Sequence, residues 1–293
     1  MKEFQYAAPT SLDEAVSLLA EHQPHARMLA GGTDILVQLR EGHDECDWVI
    51  DVKKIPELME FAVSQQFGLQ LGASVPCYRV YDDDLLASLY PAIVDVARII
   101  GGWQIQSRAS IGGNLCNASP AADCIPPLIV HQAVCHIASA EGRRTLPVNE
   151  FCVGPGKNIL ASNEMLVALT LPPTPPHTGS AYQRFIPRNE MDIAVAGAAS
   201  WVELDASGKT IQKARIALSA IAPTPKLAES ANEWLPGKPA TQETFKQAGK
   251  LAKQVAAPID DMRGTVEYRT HLVGVLTKRT LEQACDRARD RGK

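Results

Sequence analysis

The sequence predicts an α+β fold in two parts, and three observations carry that expectation. At 293 residues the chain is about two domains long. Short apolar runs of strand length alternate with helical stretches through the first half, whereas the last third reads as paired strands followed by helices. Between these regions lies Pro172–Gly179, PPTPPHTG, which neither a helix nor a central strand tolerates and which makes a semi-rigid connector. The division is accordingly expected between residues 1–176 and 177–293.

In chain order, Ser11-Leu12-Asp13-Glu14 has the residues of a capping box and opens a helix with Leu12, Ala15, Val16 and Leu19 on one face. Ala26–Ala30 is a short apolar strand running into Gly31-Gly32, and Asp34 to Arg40 is helical, which puts this glycine turn at a helix N-terminus. Trp48–Val52 and Leu69–Ala73 read as strands. Pro91 to Gly101 reads as a helix stopped by Gly101-Gly102. Arg108 to Pro127, RASIGGNLCNASPAADCIPP, shows neither period and is expected to be an irregular binding loop. Ala133–Ala138 and Met165–Leu171 follow as strands. Beyond the prolines, Ile193–Asp205 and Thr210–Ala220 form a hairpin about Asp205-Ala206-Ser207-Gly208. Helices are expected around Lys226–Trp234, Glu243–Val255 and Val266–Arg287.

Composition narrows the function. The apolar fraction of 45% and charged fraction of 21% are ordinary for a globular protein with a full core. A net charge of −4 gives no support to nucleic acid or an anionic membrane as partner. No apolar run is long enough for a membrane span, and the first fifteen residues hold no signal-peptide core. Seven cysteines, odd in number and without a C-x-x-C pair, point to free thiols in a reducing compartment, so a cytoplasmic protein is expected. Cys116 and Cys124 flank the glycine-rich stretch but lack the close pairing of zinc or iron–sulfur ligands, so no metal site is expected. Neither a catalytic triad nor paired acids can be assigned.

The chemistry-bearing feature is a pair of glycine turns, Ala30-Gly31-Gly32-Thr33-Asp34 and Ser110-Ile111-Gly112-Gly113-Asn114. Glycine pairs can take positive φ, turn peptide N–H groups towards one point and admit a ligand close to the backbone. Neither turn is G-x-G-x-x-G or a P-loop, and neither contains a lysine or arginine, although Arg108 flanks the second. An anion held here, one pyrophosphate between both turns, would rest on backbone N–H groups with Thr33, Ser110 and Asn114. Each turn taken alone also reads as a tight bend at a strand end.

AGGTDILVQLR, SIGGNLCNASPAADCIP and RNEMDIA together resemble the signatures of the flavin-binding medium subunit of molybdenum hydroxylases, with xanthine dehydrogenase the nearest in wording. The resemblance covers essentially the whole chain. It implies a two-lobed FAD-binding domain of the vanillyl-alcohol-oxidase (PCMH) type. A smaller C-terminal domain of the CO dehydrogenase flavoprotein type would follow, with a three-stranded sheet and a helical bundle. Carried over residue by residue, Ala30, Gly31, Gly32, Thr33 and Asp34 would line one side of the FAD phosphates, with Met28, Leu29 and Ile35 also in the cofactor-binding set. Ser110, Gly112, Gly113 and Asn114 would line the other, with Ile111 and Ala118 also cofactor-binding. Asp123 would accept from a ribose hydroxyl, and Ile100 and Leu166 would pack on the cofactor rings or serve simply as core. Arg184 falls where relatives often carry lysine near the flavin, and Asp192 is expected to anchor its loop. Partner subunits would carry two [2Fe-2S] clusters and a molybdopterin-type molybdenum cofactor. A small iron–sulfur chain and a large molybdenum chain would join this one in a heterotrimer that dimerises, with NAD+ or another acceptor taking the electrons. A self-contained flavin oxidoreductase and a non-catalytic assembly subunit with an empty flavin pocket are the other readings of the same residues.

Overall fold

The computed structural model describes residues 2–42, 46–188 and 190–292. Asn189 of the RNEMDIA motif lies outside the described residues. A parallel three-stranded sheet forms first, with Trp48–Asp51 between Gln5–Ala7 and Ala26–Leu29. The helix Leu12–His22 covers it, with Leu12, Ala15, Val16 and Leu19 buried as its periodicity requires. Ser11 Oγ caps this helix by accepting from Glu14 N, while the Glu14 carboxylate reaches back one residue further than a capping box, to Thr10 N at 3.1 Å.

A five-stranded antiparallel sheet follows, in the order Phe61–Ser64, Gly68–Gly72, Met165–Leu171, Val134–Ser139, Gly142–Pro147. Met165–Leu171 is its central strand and is apolar throughout except Thr170, as burial on both faces demands. Leu69, Leu71, Cys135, Ile137, Leu169 and Leu171 face the largest apolar core, whereas Met165, Val167, Ala168 and Ala138 pack towards the N-terminal helix.

The C-terminal sheet is antiparallel, in the order Thr178–Phe185, Ala196–Leu204, Ile211–Ser219, Lys226–Leu227. It thus holds the three long strands expected and a two-residue fourth, Lys226–Leu227, which the sequence reading had merged with the helix Glu229–Trp234. The 25-residue helix Val266–Asp290 lies across this sheet, burying Leu272, Val273, Leu276, Thr280, Leu281, Ala284 and Ala288. Gly179 lets the first strand touch that helix, since a Cβ there would come 2.1 Å from the Ala284 carbonyl oxygen.

The two regions share apolar packing, because Tyr182, Trp201 and Ala217 join the largest core. Polar ties reinforce it. Arg287 grips both carboxylate oxygens of Asp95 at 2.6 and 2.8 Å, and Asp95 Oδ2 also accepts from Tyr182 N at 3.0 Å. Arg215 stacks 3.7 Å over the Trp201 ring and donates to the Val130 carbonyl at 2.5 Å.

Several expectations are corrected. Arg108–Pro127 is not irregular: it contains the helices Ile111–Asn117 and Ile125–Val130. Ser110 Oγ caps the first by accepting from Gly113 N at 3.0 Å, and Pro126 sits in the opening turn of the second, where a missing N–H costs nothing. The helix from Pro91 ends at Ala97 rather than at Gly101, and a further short helix, Trp103–Gln106, begins after Gly102. The strand Thr178–Phe185 starts inside the presumed connector.

Candidate functional site

The fold brings the two glycine pairs into contact. Ala26–Leu29 delivers the first to the C-terminal edge of the parallel sheet, directly before the helix Ile35–Glu41. The second occupies the opening turn of Ile111–Asn117, fixed by an antiparallel bridge between Ser110 and Pro76 and by Cys77 N donating to the Ala109 carbonyl at 2.8 Å. Between the two helices, Gln38 Nε2 donates to Asn117 Oδ1 at 3.1 Å and to Asp34 Oδ1 at 3.3 Å.

The four glycines are required for different reasons. A Cβ on Gly31 would lie 2.1 Å from the Arg108 carbonyl oxygen, so the first turn rests on the peptide that leads into the second. Gly32 alone takes positive φ, at +79°. Gly112 packs on strand backbone, where its Cβ would fall 2.5 Å from the Ala73 carbonyl oxygen. Only Gly113 faces open space, with Ser110 Oγ at 3.0 Å the sole neighbour within 4 Å of its added Cβ. Glycine's freedom to take positive φ is used only in the first pair: the second pair is helical, and its contribution is free N–H groups of a first turn.

Among the described residues no acceptor pairs with the N–H of Gly31, Gly32, Thr33 or Asp34, nor with that of Ile111 or Gly112, although Ile111 and Gly112 are buried. Buried amides are nearly always satisfied by protein, water or ligand. Two groups of unpaired amides, on turns whose backbones meet at Gly31 and Arg108, fit an anionic diphosphate. Around them, Met28 packs in the N-terminal core and Leu29 and Ile35 against Leu39, Cys46 and Val49. Asn114 Oδ1 accepts from Cys124 N at 3.1 Å, tying the helix to the segment that carries Asp123. Ala118 ends the helix in the left-handed conformation at φ 51°, and its carbonyl accepts from Gly156 N at 3.0 Å. Leu166 is buried in the central strand, whose next residue, Val167, accepts from Ala73 N at 2.8 Å beside Gly112. Ile100 is half-buried against the same core.

Asp123 and Arg184 meet although 61 residues separate them. Arg184 Nη1 pairs with Asp123 Oδ2, and Nη2 donates to the Ile99 carbonyl at 2.8 Å. Tyr182 Oη donates to Asp123 Oδ1 at 2.6 Å. Tyr182 and Arg184 alternate along one strand and so share a face. Burial pushes the Asp123 carboxyl up, and the Arg184 charge and the Tyr182 hydroxyl oppose that rise. Asp192 accepts from Ile193 N at 2.8 Å and pairs with Arg188 at 3.3 Å, closing its own loop.

Two residues that sequence reasoning missed belong here. Tyr182 escaped because its strand was not recognised. Lys53 escaped because it lies downstream of the turn it serves: its Nζ donates to the Ala30 carbonyl at 2.9 Å and to Asp51 Oδ1 at 2.7 Å. The spacing Asp51-x-Lys53 just after a strand was the available signal.

Two surface clefts, of about 320 and 290 Å³, share no residue with the glycine turns; Glu57, His136 and Arg143 line the first, Leu12, Ser17 and Glu141 the second. Burial pushes the thiols of Cys77 and Cys116 up to about 12 and that of Cys124 well above its ordinary value, so near neutral pH they are protonated. No described helix is long and apolar enough to cross a membrane.

The chain is similar to known proteins along almost its whole length. Residues 2–174 match the family described as the FAD binding domain in molybdopterin dehydrogenase, and residues 180–284 match the CO dehydrogenase flavoprotein C-terminal domain. The xanthine dehydrogenase FAD-binding subunit of Escherichia coli O157:H7 is 33% identical over 280 residues, 95% of either chain. The carbon monoxide dehydrogenase medium chain of Hydrogenophaga pseudoflava is 31% identical over 281 residues, 96% of either chain. Among solved structures, a chain of that organism's carbon monoxide dehydrogenase superposes with a TM-score of 0.92 at 31% identity over 98% of both chains. A chain of quinoline 2-oxidoreductase from Pseudomonas putida 86 gives 0.90 at 29% identity, covering 98% of this chain and 99% of that one.

Proposed function

Because this chain belongs to the FAD-binding subunits of the molybdenum hydroxylase family, we propose that it passes electrons from iron–sulfur clusters on a partner chain, through FAD, to NAD+ or another acceptor. The observation that carries the reading is the contact between the two glycine turns, each of which holds amides that no described residue accepts. When bound, FAD supplies the redox chemistry; the chain binds, orients and tunes. The amides of Gly31 to Asp34 and of Ile111 and Gly112 would hold the pyrophosphate, with Met28, Leu29, Ile35, Asn114 and Ala118 shaping the cradle. Asp123 would take a ribose hydroxyl on a carboxylate lone pair left by Tyr182 and Arg184. Ile100 and Leu166 would supply apolar surface to the rings. Arg184, a fixed cation, would favour negative charge on the reduced ring.

Residues 1–176 and 177–293 would then be the FAD-binding and C-terminal domains, the second contributing Tyr182 and Arg184 to the site of the first. The partners would be a small [2Fe-2S] chain and a large chain with a molybdopterin-type cofactor, assembled as a dimer of heterotrimers. The relatives named as medium chain or FAD-binding subunit support that arrangement. Xanthine or a related purine is the proposed reducing substrate, by likeness to the xanthine dehydrogenase subunit.

Co-purification from the native cells tests this. Flavin, iron and molybdenum should elute together with one smaller and one larger chain. A complex without flavin absorption would leave the chain an assembly subunit, and turnover of an organic donor by the isolated chain would make it a self-contained flavoenzyme.

A further inference from the structure

Lys53 reaches the first glycine turn at the Ala30 carbonyl. Its Nζ donates to the Ala30 carbonyl at 2.9 Å and is steered there by Asp51 Oδ1 at 2.7 Å. Asp51 is itself fixed, accepting from Lys53 N at 3.1 Å and, on its other oxygen, from Tyr6 Oη at 2.7 Å. This chain of contacts runs across the three strands of the parallel sheet and ends on one peptide, Ala30–Gly31.

In a trans peptide the C=O and the N–H point in opposite directions. A cation on the Ala30 carbonyl therefore leaves the Gly31 N–H pointing away from Lys53, and no described residue accepts it. Backbone also packs closely beside this peptide, since a Cβ on Gly31 would fall 2.1 Å from the Arg108 carbonyl oxygen. Charge at a carbonyl polarises the peptide and strengthens the hydrogen bond its N–H makes, as in any hydrogen-bonded chain. The geometry points to Lys53 as a positioning residue for a bound diphosphate: it orients and polarises the Gly31 amide from behind, without touching the ligand. This inference rests on the pyrophosphate reading above and adds to it a cation that the turns themselves lack.

The full-length chain, stripped of flavin, is titrated with FAD and with ADP, which keeps the diphosphate but has no flavin ring. Lys53→Met should weaken both by about tenfold, the scale of one hydrogen bond to a charged group. Lys53→Arg should recover most of that loss, and K53M, which takes the cation from the largely buried Asp51, should stay folded with an apo melting temperature lower by a few degrees. Unchanged affinities in K53M, or a loss that K53R does not restore, would overturn the inference while leaving the pyrophosphate site standing. Should K53M melt too low to titrate, Lys53→Gln, which keeps a donor but no charge, takes its place against the same thresholds. A wild-type chain that binds neither FAD nor ADP would overturn the site reading and this inference together.

Discussion

Gly113→Val and Gly31→Ala should fail in opposite ways, and the contrast separates a glycine needed by the ligand from one needed by the fold. The added Cβ at Gly113 meets only Ser110 Oγ, at 3.0 Å, and otherwise enters open space. Disturbing that cap costs about 1 kcal/mol, and replacing a helical glycine by the β-branched valine returns about 0.3 kcal/mol, so the apo protein should melt within a few degrees of wild type. A valine there pushes a phosphate off the first-turn amides. Losing two hydrogen bonds to a charged group, at about 1.5–3 kcal/mol each, weakens FAD binding by at least about a hundredfold. At Gly31 the Cβ falls 2.1 Å from the Arg108 carbonyl oxygen, backbone on backbone, and something must move. Overpacking of that kind costs about 1–3 kcal/mol, or about 2–12 °C in apo Tm at roughly 2–4 °C per kcal/mol. Differential scanning fluorimetry of the apo proteins and titration of flavin fluorescence measure both. FAD affinity within threefold of wild type in G113V, or an unchanged apo Tm in G31A, would refute the assignment of the turns.

Three further outcomes are expected. Asp95→Ala strips Arg287 of a bidentate partner and Tyr182 N of its acceptor; a loss of about 2–3 kcal/mol should appear as an apo Tm lower by about 4–12 °C, and an unchanged melt would deny the tie any weight. Arg184→Met leaves the Asp123 carboxylate buried without its cation and should cost about 3–5 kcal/mol, of which adding Asp123→Asn restores a large part; equal losses in the single and double variants would show no coupling. His131 is buried against Tyr90, with Nε2 2.9 Å from Ser180 Oγ, and burial, then the charges of Arg215 and Arg291, lower its pKa to about 3. The unfolded chain takes up that proton near pH 6.5, so this contribution is whole above 6.5. It falls by at most about 1.4 kcal/mol per pH unit as the pH drops towards 3. Apo melts across that window should be flatter for His131→Gln than for wild type, and parallel curves would remove His131 from the account.

What could be read from residues alone follows a physical line. Met165–Leu171 and the helix Val266–Asp290 were legible because each packs its whole length against one core, and the period shows it. Gly142–Pro147 was not, because it is a largely exposed edge strand with no apolar alternation. Arg108–Pro127 misled for a subtler reason. Two glycines and three prolines outweighed the signals that govern a helix start, a Ser N-cap at 110 and a proline in the first turn at 126. The glycine turns were legible as places where backbone comes close, but not what comes close: for Gly31 and Gly112 it is protein, for Gly113 open space.

Charge was the least legible part, because it depends on contacts between distant segments. Reading the turns alone, a diphosphate there had no cation near it. The fold supplies Lys53 behind Ala30, 23 residues away, and sets Arg184 against Asp123 across the two regions. On the proposed reading that second pairing would constrain the cofactor site itself. The carboxylate expected to receive a ribose hydroxyl already accepts from Tyr182 and Arg184, one on each oxygen. A ribose can join only as a further donor to an oxygen already in use, so the C-terminal strand sets the direction from which the sugar approaches. On the proposed reading the second region would be part of the cofactor site rather than an appendage to it, and a chain cut at the proline-rich connector should lose flavin affinity even if both pieces fold.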